Sequence, residues 1–159
     1  MSGSFHPVTN QIVVFTLDDQ SYALSLHAVV KVIHAIEIRR LPKAPEIISG
    51  IINIKGQIIP VVDIRKCFGV VAREIDPDDH LIITDTGKRQ VAIMVDSVTG
   101  ISDLTPDQLS NAGDSLSFAR NLRGVAKVYD GLILIYDLDA FLSLDEEKEL
   151  DHALKIESK

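Results

Sequence analysis

Three aspartates, Asp63, Asp96 and Asp137, stand against apolar runs, where paired carboxylates can carry out general acid–base work. Asp63 and Asp137 each close a strand-like run and open a short helical one, so helix capping explains them without catalysis. The five histidines, His6, His27, His34, His80 and His152, are scattered along the chain. None pairs with another at metal-ligand spacing such as i,i+4 on a helix, and they read as surface or loop residues. The single cysteine, Cys67, excludes an internal disulfide and a cysteine-based zinc site, and beside Phe68 it reads as a small core residue. The glycines are dispersed at turns rather than gathered into a phosphate loop, and no Gly-x-Ser-x-Gly elbow occurs. No active-site constellation emerges from these residues.

The elements that would position these residues are mostly strands. Ile12–Phe15 and Tyr22–Leu24 flank Asp18-Asp19-Gln20, and Ile51–Ile54 and Ile58–Val62 flank Lys55-Gly56. Leu81–Ile83 and Val91–Val95 flank Thr86-Gly87-Lys88, and Val125–Val128 and Leu132–Tyr136 flank Asp130-Gly131. Each set reads as a hairpin, with Gly56 free to take the positive φ of a tight turn. Pro60 cannot donate to a ladder, which places it on an edge or at a bulge. Ile64–Phe68 and Leu138–Leu142 read as short helices. The charged run from Asp145, with Leu150 and Leu154 spaced i,i+4, reads as a C-terminal tail or helix.

The two halves repeat. At an offset of 69, Val13-Val14 meets Ile82-Ile83, Ala23-Leu24 meets Ala92-Ile93, and Val32 meets Ile101. At an offset of 74, Gly50-Ile51 meets Gly124-Val125, Ile58-Ile59 meets Leu132-Ile133, and Asp63-Ile64 meets Asp137-Leu138. The change of offset implies a longer loop in the second half, over Ser110–Asn121. Five short strands per half suit a closed barrel, which leaves few sticky edges. The expected architecture is all-β, two five-stranded barrels side by side around a shared core, with short helices. Residues 1–10 form a tail. The first barrel runs from about 11 to 76 and the second from about 80 to 143, with strand exchange between them left open, and 144–159 follow as the charged end.

The chain is 46% hydrophobic, which suits a folded domain. Its net charge of −7 repels phosphate backbones and anionic membrane surfaces. The first ten residues lack the pattern of a signal peptide, and no run approaches a membrane span, so a cytoplasmic protein is expected.

Leu41-Pro42-Lys43-Ala44-Pro45, followed by Ile48-Ser49-Gly50-Ile51-Ile52-Asn53-Ile54-Lys55-Gly56 and Pro60-Val61-Val62-Asp63, resembles the signature of the CheW family. Ala92-Ile93-Met94-Val95-Asp96-Ser97-Val98 resembles its second-half signature, and the resemblance runs from about Gln11 to Leu142. It implies SH3-like barrels and a non-catalytic scaffold, with no cofactor or metal, that couples chemoreceptors to a CheA-type histidine kinase in chemotaxis. The implied partners are the kinase's regulatory domain and the cytoplasmic tip of methyl-accepting receptors, with no nucleic acid and no membrane insertion. An adaptor of a non-chemotaxis two-component pathway, or a free-standing regulatory module of a kinase, shares the same fold. The resemblance places receptor binding on Val29, Lys31, Val32, Gly50, Asn53, Ile54, Lys55 and Gly56. Two positions depart from the family pattern: Lys31 stands where glutamate is common, and Lys55 where arginine is usual.

Overall fold

The computed structural model describes residues 11–104, 109–111, 122–128, 131–136 and 142–157. Asp137, most of the expected Leu138–Leu142 helix, most of the Ser110–Asn121 loop and the first ten residues lie outside these.

The four hairpins form where apolar runs meet turn residues. Strands β1 (Gln11–Leu17) and β2 (Gln20–Ser25) join through Asp18 and Asp19, at φ 49° and 70°. With both turn residues left-handed, the backbone follows the strands' own twist, and aspartate tolerates this conformation better than most residues. After β3 (Val29–His34), strands β4 (Ile48–Ile54) and β5 (Gln57–Val62) repeat the device with Lys55 and Gly56, at φ 51° and 88°. The third hairpin joins β6 (His80–Asp85) to β7 (Gln90–Val95). β8 (Ser97–Asp103) and β9 (Leu109–Asn111) precede the fourth, formed by β10 (Leu122–Val128) and β11 (Gly131–Tyr136).

Helix α1 (Ile64–Phe68) starts where the Asp63 carboxylate accepts a hydrogen bond from the Lys66 N–H. Helix α2 (Leu144–Glu157) starts at a reciprocal cap. The Ser143 hydroxyl accepts from the Glu146 N–H, and the Glu146 carboxylate accepts from the Ser143 N–H.

The strands form two sheets, one of six strands in the order β8-β1-β2-β11-β10-β9 and one of five in the order β3-β6-β7-β5-β4. The expected count of five per barrel is exceeded in the first by the three-residue β9. In the second, Arg39 bridges Ile51 on the outer side of β4 and occupies the equivalent place. The boundary expected near Asp76–His80 does not separate the sheets. β1 and β2 lie between β8 and β11, and β6 and β7 lie between β3 and β5. Each half lends its first two strands to the other half's sheet. The halves join through two parallel pairings, β2 with β11 and β7 with β5, and two antiparallel ones, β1 with β8 and β3 with β6. Even the irregularities repeat: register shifts between Ile48 and Gly50 and between Leu122 and Gly124 sit at equivalent positions.

Side-chain alternation divides the core into three clusters. Ile12, Val14, Ala23, Ile133 and Ile135 fill the six-stranded barrel. Ile52, Ile59, Val61, Leu81, Ile83 and Ala92 fill the five-stranded one. The intervening residues Phe15, Leu17, Leu24, Ile82, Ile93 and Val62 point the other way, into the largest cluster, which both sheets share. The rings of Tyr22, Phe68 and Tyr136 stack there, with centroids 4.8 and 3.8 Å apart, and Cys67 packs against the same cluster. Leu150 and Ala153 of α2 are buried in it, and Arg89 ties the helix down through Glu147 and Asp151.

Pro60 corrects an expectation: β5 lies inside its sheet rather than at an edge, and the bulge against β4 falls at Ile48–Gly50, opposite Val62 and Val61. Pro60 faces Ile51, whose N–H and carbonyl are both taken by Arg39. No ladder bond to β4 is therefore forfeited, and pairing with β7 begins one residue later, at Val61.

Candidate docking site

β3 ends the order of its sheet and, among the described residues, pairs only with β6. An edge strand has one open side, and most residues of β3 are exposed. Val29 packs against the shared cluster, which gives it a structural reason to be apolar. Val30 is the extra residue of a bulge, since Val29 pairs with Thr84 and Lys31 with Ile83. Val30 and Val32 are 48% and 38% exposed, which packing does not account for, and Lys31 lies between them in water.

The other expected residues sit on the β4–β5 hairpin. Asn53 is exposed, and its side-chain oxygen accepts from the Gly56 N–H at 2.8 Å, locking the turn. Lys55 and Gly56 project at the tip, while Ile54 packs partly against the five-stranded barrel's interior. Gly50 is buried, and a Cβ there would lie 2.3 Å from the Arg39 carbonyl oxygen. Its place follows from the close approach of two backbones that closes the barrel. Asn53, Ile54, Lys55 and Gly56 are thus brought together, whereas Val29, Lys31 and Val32 stand on the strand at the far end of the sheet order.

The structure adds residues that sequence reasoning missed. Exposed Arg39, Arg40 and Lys43 join Lys31 and Lys55, and none of the five makes an ion pair among the described residues. Only Glu37 and Glu46 oppose them between residues 31 and 55, and Glu46 already pairs with Lys66. This stretch is locally basic in a chain of net charge −7.

A second missed feature is a chain of alternating charges where the polypeptide crosses between sheets. Arg65 of α1 donates to Asp18 in the β1–β2 turn and to Asp96 at the β7–β8 junction. Arg73 donates to Asp96 and to buried Asp79, and the Asp18 N–H donates to Asp96 at 2.8 Å. The hydrogen bond from Arg65 holds the Asp18 carboxyl below its ordinary range. Burial pushes Asp96 upward, but the Asp18 N–H and the two guanidinium groups outweigh it, so the net shift is down. Both arginines are raised, Arg65 chiefly by Asp18 and Arg73 chiefly by Asp79. A cavity of about 220 Å³ opens beside them, its walls including Ile38, Ile64, Arg65, Arg73 and Asp96. On these walls Arg65, Arg73, Asp79 and Asp96 already engage one another or Asp18.

Among the described residues, no group of three or more His, Cys, Asp or Glu side chains is placed to hold a metal ion. No described helix is long and apolar enough to cross a membrane.

A family model described as the CheW-like domain matches residues 11–146. The chain is 30% identical to the chemotaxis protein CheW of Thermotoga maritima, over 87% of this chain and 91% of that protein. It is 26% identical to the chemotaxis protein CheW of Klebsiella aerogenes, over 93% of this chain and 90% of that one. Among solved structures it is similar to the scaffolding protein TtCheW from Thermoanaerobacter tengcongensis. That match has a TM-score of 0.78 and 29% identity, and covers 87% of this chain and 95% of the other.

Proposed function

The chain belongs to the CheW family, and on that premise we propose that it is the scaffold through which chemoreceptors control a CheA-type histidine kinase in chemotaxis. The observation that carries this reading is the match over residues 11–146, which spans both sheets of the exchanged barrel pair. The exchange suits a coupling element physically. Each sheet is built from both halves, and one buried cluster lies between them, so the barrels hold a fixed mutual angle. A partner on one barrel is thereby placed rigidly relative to a partner on the other.

At a finer level, the kinase contact is with its regulatory domain, and the receptor contact is with the tip of its cytoplasmic helical hairpin, in the cytoplasm. Val32, Lys31, Asn53 and Lys55 are the expected residues that stand exposed and able to touch such a helix, with Val30 added by its exposure. Val29 and Ile54 pack beneath their own strands, Gly50 lies against the Arg39 backbone, and Gly56 shapes the β4–β5 turn. The cations Lys31, Arg39, Arg40, Lys43 and Lys55, which make no ion pair among the described residues, favour a receptor segment that is acidic where it meets them. Reading the chain as an adaptor of a non-chemotaxis pathway is favoured by the lysines at 31 and 55 alone.

The test is reconstitution. The chain is added to the kinase and to receptor cytoplasmic fragments from the same organism, and receptor-dependent autophosphorylation is measured. Coupling of chemoreceptors supports the proposal. Binding to a kinase regulatory domain without coupling to any chemoreceptor moves the chain to the second reading.

A further inference from the structure

We propose that His34 and His80 form a two-imidazole site for a divalent transition-metal ion of the zinc, nickel or copper class. The two are far apart in sequence, and no helical spacing joins them. The pairing of β3 with β6 sets them directly opposite each other. In the neighbouring pair, the Ala35 N–H donates to the Asp79 carbonyl at 2.9 Å. Hydrogen-bonded and non-hydrogen-bonded pairs alternate along antiparallel strands, so His34 and His80 are a non-hydrogen-bonded pair, the arrangement with the shorter Cα separation. Their ring centroids lie 4.9 Å apart.

His80 Nδ1 is enclosed and meets no hydrogen-bond partner among the described residues. A ring nitrogen without a partner is costly when buried, and a neutral imidazole lone pair is the donor that zinc, nickel and copper prefer. Asp79, next in sequence, does not compete for the role. Its carboxylate already accepts from Arg73 and from the Asp76 N–H. No third side chain completes the set among the described residues, so water fills the remaining positions and the ion exchanges readily. His34 is exposed, which leaves one side of the pair open to solvent.

Such an ion would cross-link the outer strand to its one partner strand. Val32 lies two residues before His34, on the same face of β3, so the link would stiffen the exposed strand on which Val32 and Lys31 stand.

Zinc chloride is titrated into the full chain by calorimetry, with imidazole nitrogens followed by NMR. The expected result is one binding event that shifts the His34 and His80 ring signals, with affinity falling roughly tenfold or more in H34Q as the second ligand is lost. H27Q and H152Q, at exposed histidines elsewhere, should bind as the parent does. His80 is partly buried, so H80Q is interpreted only if its circular dichroism is unchanged, whereas H34Q lies at the exposed member and decides the matter alone. Unchanged affinity in H34Q, zinc shifts at other histidines only, or no binding at all would overturn the site.

Discussion

The guanidinium of Arg65 grips the Asp18 carboxylate with two hydrogen bonds, at 3.1 and 3.0 Å, linking α1 to the first hairpin turn. The same group reaches Asp96 at 2.8 Å and the Val71 carbonyl at 2.7 Å. Arg65 is only 8% exposed, so its own end of each bond is largely shielded from water, although Asp18 is half exposed. Arg65→Ala removes all of them and leaves Asp96 with one guanidinium. A loss of about 2 kcal/mol in unfolding free energy is expected, short of the cost of breaking a fully buried pair because Asp18 faces solvent. Arg65→Lys keeps the charge but not the planar fork, and should recover less than half of the loss. Urea titrations of the three proteins check the order.

Acid should attack the same network. Asp18 and Asp96 are both held below their ordinary values in the folded chain. A carboxyl lowered by folding contributes its stabilisation above its unfolded value, about 4, and loses it as pH falls through the lower folded value. Thermal midpoints should therefore hold steady down to about pH 4 and drop below it. Asp96→Asn should start lower at neutral pH and show a shallower acid drop. A variant whose acid slope matches the parent's would show that other carboxylates carry the effect.

Gly50 and Gly56 should respond differently to alanine. At Gly50 the added Cβ meets the Arg39 carbonyl oxygen at 2.3 Å and the Arg39 carbonyl carbon at 2.9 Å, both backbone atoms that cannot rotate away. The bridge between Arg39 and Ile51 must open, and a loss of about 3 kcal/mol is expected. At Gly56 nothing lies within 4 Å of the added atom, and the cost is only that of φ 88° in an L-residue. That is about 1 kcal/mol, with the hairpin retained. Denaturation midpoints separate the two, and hydrogen exchange at the Arg39 and Ile51 amides locates the damage.

These contrasts mark how far the sequence could be read. Strands, turns and the Asp63 cap announce themselves locally, through alternation, left-handed turn residues and an aspartate ahead of a helix. The repeat was legible because equivalent glycines and apolar pairs recur at fixed offsets. Strand partnership was not, because β1 has the same alternation whether β2 lies beside β11 or beside β5. Partnership is settled by the tertiary junctions, and everything that depends on it was hidden. Arg65 meets residues 47 and 31 positions away. His34 faces His80 only because β3 lies beside β6. Gly50 was placed at the docking face by the family resemblance alone, and in the fold it lies buried against the Arg39 backbone and the Ile38 side chain. Exposure of Val30 and Val32 follows from β3 ending its sheet, which no local pattern declares.

Lys31 offers the sharpest test of the docking face. It sits between Val30 and Val32 on an open strand edge, with no ion pair among the described residues. A charge there has a structural use of its own, since it discourages the edge from pairing with another chain. Lys31→Glu keeps a charge on the edge, so that guard remains and stability should stay within about 0.5 kcal/mol of the parent. The sign toward a partner reverses. If the receptor segment is acidic where it meets Lys31 and Lys55, affinity should fall about tenfold in Lys31→Glu, and less in Lys31→Gln, which only removes the attraction. Added salt should shrink the gap between parent and variant, because the contact is exposed and screened. Affinities for the cognate receptor tip at low and high salt, beside urea midpoints for the same proteins, distinguish a binding effect from a folding one. Equal binding by parent and Lys31→Glu would remove Lys31 from the docking face and, with it, the argument for an acidic partner at that position.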